Sequence, residues 1–160
     1  MQAVIGLGSN QGDRRANLAS ALNALERLPL VAEVRASGIY QTPPFKVSGE
    51  QQDFYNCCAL IASNLSPEAL LGACLGIEAA MGRTRTEGLV DPRIIDLDLL
   101  LYEGEERQSN ELTLPHPRIA ERAFVLLPLR ELFPALNVFG FDYSAALNSL
   151  DTSGIYSLTT

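Results

Sequence analysis

The chain has 160 residues, with 12 basic and 19 acidic side chains, a net charge of −7 and 47% hydrophobic residues. That charge speaks against a nucleic-acid surface, no apolar run is long enough to cross a bilayer, and three cysteines without ligand-like spacing speak against a disulfide framework or a zinc site. The length implies one domain, spanning residues 1–160, with a core of its own, and the lack of a basic-then-apolar leader points to the cytoplasm.

Residues 2–8 read as a first, central strand. A polar turn over 9–13 leads into a helix whose apolar stripe is Leu18, Leu22 and Leu25 and which stops near Pro29. Gly6-Leu7-Gly8-Ser9 lacks the endings of phosphate- and dinucleotide-binding loops, so its glycines fit close backbone packing as well as a functional role. Residues 31–40 predict a second strand, broken by Thr42-Pro43-Pro44 because proline cannot continue a ladder. A polar loop over 45–53, containing Gly49, is expected to be mobile. Residues 54–63 predict a third strand; its Asn56 suits the edge of a heterocycle and equally an ordinary surface position. Ser66 and Pro67 form a cap-and-first-turn pair for a helix with a stripe at Leu71 and Leu75, widened by Leu70, Cys74, Ile77 and Met81, with Glu78 on its border and Gly82 ending it. Residues 83–91 read as a flexible loop carrying Arg83 and Arg85.

Residues 92–102 are the stretch with the most chemistry. Strand alternation puts Ile95, Leu97, Leu99 and Leu101 on one face and Ile94, Asp96, Asp98, Leu100 and Tyr102 on the other. After a solvated turn over 103–106 come a short strand over 111–114, a rigid corner at Pro115-His116-Pro117-Arg118, helix over 118–132 in two pieces around Pro128, and a tail with one short helix near 144–150 and no legible chemistry. The order β-α-β-β-α-β is the split βαβ arrangement, an α+β fold with helices packed on an antiparallel sheet.

Two carboxylates two strand positions apart project in parallel about 6–7 Å from each other. Burying such a pair without compensation is costly. Divalent cations and arginines are the natural compensation. Arg83, Arg85, Arg93, Arg107, Arg118 and Arg122 crowd residues 83–122 beside the only histidine, His116, while Lys46 is the only lysine. Carboxylate oxygens are hard ligands that suit magnesium, two metals clamp a phosphoryl group, and guanidinium forks fit phosphate. With no Walker lysine or kinase signature present, the residues point to metal-assisted transfer from a nucleotide. Cys57, Cys58 and Cys74 sit in strand and helix patterns and read as small core residues in a reducing compartment.

Taken together, Gly8-Ser9-Asn10, Tyr40-Gln41-Thr42-Pro43-Pro44, Asp53-Phe54-Tyr55-Asn56, Ile77-Glu78 with Gly82-Arg83-Thr84-Arg85, Pro92-Arg93-Ile94-Ile95-Asp96-Leu97-Asp98, and Leu112-Thr113-Leu114-Pro115-His116-Pro117-Arg118 with Arg122-Ala123-Phe124 resemble the 6-hydroxymethyl-7,8-dihydropterin pyrophosphokinase family of folate biosynthesis. The resemblance implies a ferredoxin-like α/β/α fold and a monomeric diphosphokinase. The reaction it implies moves pyrophosphate from ATP to the pterin hydroxymethyl group. It implies two magnesium ions on Asp96 and Asp98. Asn56 and the backbone of Thr42, Pro43, Pro44 and Phe45 would hold the pterin edge, and Phe54 and Phe124 would sandwich its ring. Glu78, Arg85, Ile95, His116 and Arg122 would contact ATP, Arg83 and Arg93 would stabilise the transferring phosphates, and Asp98 is the candidate proton acceptor. One departure stands out. The family places Trp-Gly just before Pro92-Arg93, whereas this chain has Val90 and Asp91 and no tryptophan.

Overall fold

A computed structural model describes residues 1–44, 50–83 and 92–158. Most of the two loops expected to be mobile, with Phe45, Arg85, Val90 and Asp91, lies outside the described residues. In chain order come β1 (Gln2–Ser9), α1 (Arg14–Glu26), β2 (Val31–Ala36), β3 (Ile39–Thr42), β4 (Phe54–Ser63), α2 (Pro67–Ala80), β5 (Asp96–Tyr102), a ribbon of β6 (Arg107–Gln108) and β7 (Thr113–Leu114), α3 (Ala123–Leu132), a ribbon of β8 (Asn137–Val138) and β9 (Phe141–Asp142), α4 (Ser144–Asn148) and β10 (Tyr156–Leu158).

The main sheet is antiparallel and runs β10-β3-β4-β1-β5, with β2 pairing β4 beyond the end of β3. β1 is central, as its unbroken apolar run predicts. The expected strand over 31–40 is two strands. At the break, the Ser37 N–H still donates to the Cys58 carbonyl at 2.8 Å, while Ser37 Oγ accepts from the Cys58 N–H at 3.0 Å and the Gly38 N–H donates to Glu131 Oε1 at 3.1 Å, so side chains take over part of the ladder there. Counting β2 and β3 as one, the strand order is that of a ferredoxin-like split βαβ unit.

Alternation sorts the core into two layers. Ala3, Ile5 and Leu7 of β1 join Cys57, Ala59 and Ile61 of β4 in a cluster with α1 and α2. Val4, Cys58 and Leu60 face the other way, against Val125, Leu126, Leu129 and Leu132 of α3. Cys57 and Cys58 therefore lie on opposite faces, and all three cysteines are free and buried.

Three expectations are corrected. The alternation of β5 breaks: the register against β1 shifts between Val4 and Ile5, so Leu100 and Leu101 both join the α3 layer and Tyr102 swings to the other. Tyr102 then donates its hydroxyl to the Leu65 carbonyl. The buried stripe of α2 centres on Leu70, Cys74, Ile77 and Glu78, while Leu75 is exposed, because the sheet meets the helix one position away from the leucine repeat. The helical break after Pro117 falls at Arg122, which is extended, and not at Pro128, which lies inside α3. Pro128 forfeits one bond near the start of α3, and the packing of that helix on the sheet outweighs the loss. In the tail, α4 matches the expected short helix, but β8, β9 and β10 carry no signal in their sequence.

Candidate active site

The cleft is floored by glycine. On β1, Gly8 pairs with Asp96 on one side and Asn56 on the other, and Gly6 pairs with Asp98 and Cys58. All face the α3 side of the sheet, so two missing side chains at its centre leave space above the carboxylates. A Cβ on Gly8 would lie 2.6 Å from Asn56 Oδ1, and one on Gly6 would lie 3.2 Å from Leu100 Cδ1. Close packing, one of the two readings left open by the sequence, is thus required here, and it shapes the site. The resulting cleft holds about 380 Å³.

Its lining brings together Thr42, Pro43, Phe54, Asn56 and Phe124 with Arg83, Arg93, Asp96, Asp98, His116 and Arg122. Asn56 donates an amide hydrogen to Thr42 Oγ1 at 2.8 Å, which leaves its carbonyl oxygen and second hydrogen for a ligand edge. Arg93 sits 5.9 Å from the Phe54 ring centre and Arg122 5.6 Å from that of Phe124, so each aromatic wall adjoins a cation.

Asp96 is anchored by two arginines, Arg83 at 2.6 Å and Arg93 at 3.2 Å. Burial works against the Arg83 charge, yet Asp96 and Glu78 outweigh it and raise its pKa. Asp98 pairs with Arg122, at 3.8 Å. Burial, then the negative charge of Asp96, pushes the Asp98 carboxyl up to about 7. Two hard oxygen donors side by side at the base of a cleft, Asp98 the more loosely paired of the two, fit magnesium. Among the described residues no third His, Cys, Asp or Glu joins them. Water and phosphate oxygens would complete the shell, as magnesium prefers.

His116 is fixed by the corner it occupies. The Arg118 N–H donates to its Nδ1 at 3.2 Å, so the neutral ring carries its proton on Nε2. Burial, then Arg122 and Arg118, lowers its pKa and favours that neutral form. Among the described residues the buried Arg122 Nε has no hydrogen-bond partner, an unmet donor in a site rich in guanidinium groups.

Two of the expected nucleotide contacts, Glu78 and Ile95, are not among the lining residues. Glu78 is 2% exposed and lies beneath the sheet, where it accepts from the Leu97 N–H at 2.8 Å and pairs with Arg83 at 2.5 Å. It positions Arg83 and does not line the cleft. The Ile95 side chain is wholly buried in the core, which leaves only its backbone for a ligand. Pro44 follows Pro43 without lining the cleft. Two residues were missed. Arg118 lines the cleft and sets the His116 tautomer. Asn10, 1% exposed, exchanges backbone and side-chain bonds with Arg93 at 3.1 and 2.8 Å and donates to Gln51 Oε1 at 2.9 Å, so it ties β1 to both neighbouring segments. The Gly-Ser-Asn motif held the only signal for Asn10.

A family model described as 7,8-dihydro-6-hydroxymethylpterin-pyrophosphokinase (HPPK) matches residues 4–134. A 2-amino-4-hydroxy-6-hydroxymethyldihydropteridine pyrophosphokinase of Methylorubrum extorquens is 46% identical over 154 residues, which is 96% of this chain and 96% of its own. Its counterpart in Bacillus subtilis is 42% identical over 130 residues, 81% of this chain and 77% of its own. A crystal structure of HPPK-DHPS in complex with substrates superposes with a TM-score of 0.67 at 13% identity, covering 92% of this chain and 45% of that one. Plasmodium falciparum HPPK-DHPS with SDX-DHP gives 0.65 at 16%, with 43% of that chain covered. At such identities these two structures show the shared α+β fold.

Proposed function

The chain belongs to the 7,8-dihydro-6-hydroxymethylpterin-pyrophosphokinase family, and from that premise we propose how its own residues carry out the reaction. The enzyme is a transferase that moves pyrophosphate from ATP to the hydroxymethyl group of 6-hydroxymethyl-7,8-dihydropterin in folate synthesis. The pterin hydroxyl oxygen attacks the β-phosphorus, the bond from that phosphorus to the α-phosphate's bridging oxygen breaks, and AMP leaves.

Asn56 reads the pterin edge and Phe54 and Phe124 stack on its ring, which a flat heterocycle favours. Thr42, Pro43, Pro44 and Phe45 complete that wall. Arg83 and Arg93, already aimed by Asp96, neutralise charge as it builds on the transferring phosphates. His116 donates from Nε2 to a phosphate oxygen, and Arg122 offers its unmet Nε–H to another. Arg85 and the Ile95 backbone extend the nucleotide contacts. Asp98 takes the hydroxyl proton. Two magnesium ions on Asp96 and Asp98 would supply charge neutralisation across the phosphates.

The observation that supports this reading is one cleft with an amide and two aromatic rings at one end and an aspartate pair among four arginines at the other. We infer further that residues 1–160 act as one domain, as a monomer, and in the cytoplasm. Three reduced, buried cysteines suit such a compartment, and the large exposed apolar side chains, Met1, Leu30, Leu75 and Tyr156, are far apart in sequence. No helix among the described residues is long and apolar enough to cross a membrane. Incubation with ATP, magnesium and the pterin alcohol tests the chemistry: AMP and pterin diphosphate form one for one. Free pyrophosphate with a nucleotidylated pterin would refute it.

A further inference from the structure

On the pterin-alcohol reading above, we propose that β10 and the turn before it position the pterin wall of the cleft. Residues 151–158 lie beyond the segment matched by the family model, 4–134. They fold back to pair with β3, Tyr156 opposite Gln41, Ser157 opposite Tyr40 and Leu158 opposite Ile39. β3 has only four residues and would otherwise be the edge of the sheet. Edge strands of that length fray.

The two ends of β3 are secured differently. Its entry is tied to α3, where Glu131 accepts from the Gly38 N–H at 3.1 Å. Its exit carries Thr42 and Pro43 into the cleft. There, among the described residues, the supports are β4, through Thr42 opposite Phe54, the Gln41 side chain, which donates to Asp53 Oδ2 at 3.1 Å, and the tail. The tail's turn reaches past the ladder: Gly154 has φ +82°, and a Cβ built on it would lie 3.8 Å from Pro43 Cγ. The turn is itself built, with Asp151 Oδ1 accepting from the Ser153 N–H at 2.8 Å and the Ile155 N–H donating to the Thr152 carbonyl at 3.2 Å.

The chain of support then runs from the tail to β3, from β3 to Thr42, and from Thr42 Oγ1 to the Asn56 amide at 2.8 Å. A β3 exit free to move loses the acceptor that orients that amide. ATP contacts hang from β5, the segment before it and the His116 corner, none of which the tail pairs with. The tail therefore acts on pterin affinity and not on ATP affinity. Its residues are positioning residues, since none of them lines the cleft.

The experiment removes residues 151–160 and titrates pterin at saturating ATP, then ATP at saturating pterin. The expected result is a pterin KM raised about tenfold, the scale of one misplaced hydrogen bond, with the ATP KM within twofold. An unchanged pterin KM alongside a lowered melting temperature, or equal rises in both KM values, overturns the proposal. If the shortened chain does not fold, Tyr156→Pro and Ser157→Pro in the full chain decide. Neighbouring residues of an antiparallel strand turn their N–H groups to opposite sides, so one proline removes a bond to β3 and the other does not. The proposal requires their pterin KM values to differ about tenfold, and equal values overturn it. A wild-type chain that releases no AMP would instead refute the pyrophosphokinase reading itself.

Discussion

Glu78→Gln probes the joint between α2 and β5. The carboxylate is 2% exposed and serves both the Leu97 N–H, at 2.8 Å, and Arg83, at 2.5 Å. Both bonds fall on Oε2, so glutamine keeps them only with its carbonyl oxygen there, and the flipped amide sets its NH2 against both donors; either way Arg83 loses its charged partner. Removing one partner of a buried ion pair costs about 3–5 kcal/mol. Arg83 retains Asp96 at 2.6 Å, so the expected cost is lower, about 2–3 kcal/mol. With an m-value of about 2 kcal/mol per molar urea, the unfolding midpoint falls by roughly 1–1.5 M with m unchanged. Arg83 is then held from one side only, and kcat falls by about 10- to 100-fold as its aim on the phosphates is lost. Pterin KM stays within twofold, because Asn56 and its partners are untouched. Urea unfolding and initial rates of AMP release measure both effects. A midpoint within about 0.3 M of wild type, or an unchanged kcat, would refute the assignment of Glu78 as the residue that positions Arg83.

Asp96→Ala abolishes metal-dependent turnover, by about a thousandfold or more in AMP release, with the fold retained. Relief of repulsion with Asp98 is offset, because Arg83 and Arg93 lose their shared anion, so stability drops by about 1–2 kcal/mol; a more stable variant would contradict this geometry. Gly8→Ala places a Cβ 2.6 Å from Asn56 Oδ1 and displaces the amide, so pterin affinity falls about tenfold while ATP affinity holds, as calorimetry with each ligand would read. Asp98 is raised to about 7, and a carboxyl raised on folding lends stability below its unfolded value that is lost as pH climbs through the folded one. Its side chain is still 37% exposed, so solvent screens the effect to about 1–2 kcal/mol. Between pH 5 and pH 8 the metal-free enzyme should lose melting temperature, magnesium should restore more of it at pH 8, and Asp98→Asn should lose less. Parallel pH slopes for wild type and Asp98→Asn would count against the shift.

Short-range patterns carried most of the fold. The capped start of α2 at Ser66-Pro67, the Asp-x-Asp on a strand, the central β1 and the β-α-β-β-α-β order follow from local propensity and period, and the structure has each of them. The errors came where a neighbour outvoted the local pattern. Leu71 and Leu75 repeat as well as Leu70 and Cys74 do, and only contact with the sheet selected the second pair. Pro128 looked like a break until α3 had a surface to pack on.

Residue types and their order were enough to bring forward an aspartate pair, a group of arginines and Asn56 as candidates for one site, because charge, hydrogen-bonding capacity and strand period are properties of the residues themselves. Folding decided the rest. It put Gly6 and Gly8 opposite the aspartates, buried Glu78 against the Leu97 N–H, fixed the proton of His116 through the Arg118 backbone, and brought residues 156–158 beside β3. Each of these depends on which distant segment lies alongside, and cross-strand register is a long-range quantity that no window of sequence contains.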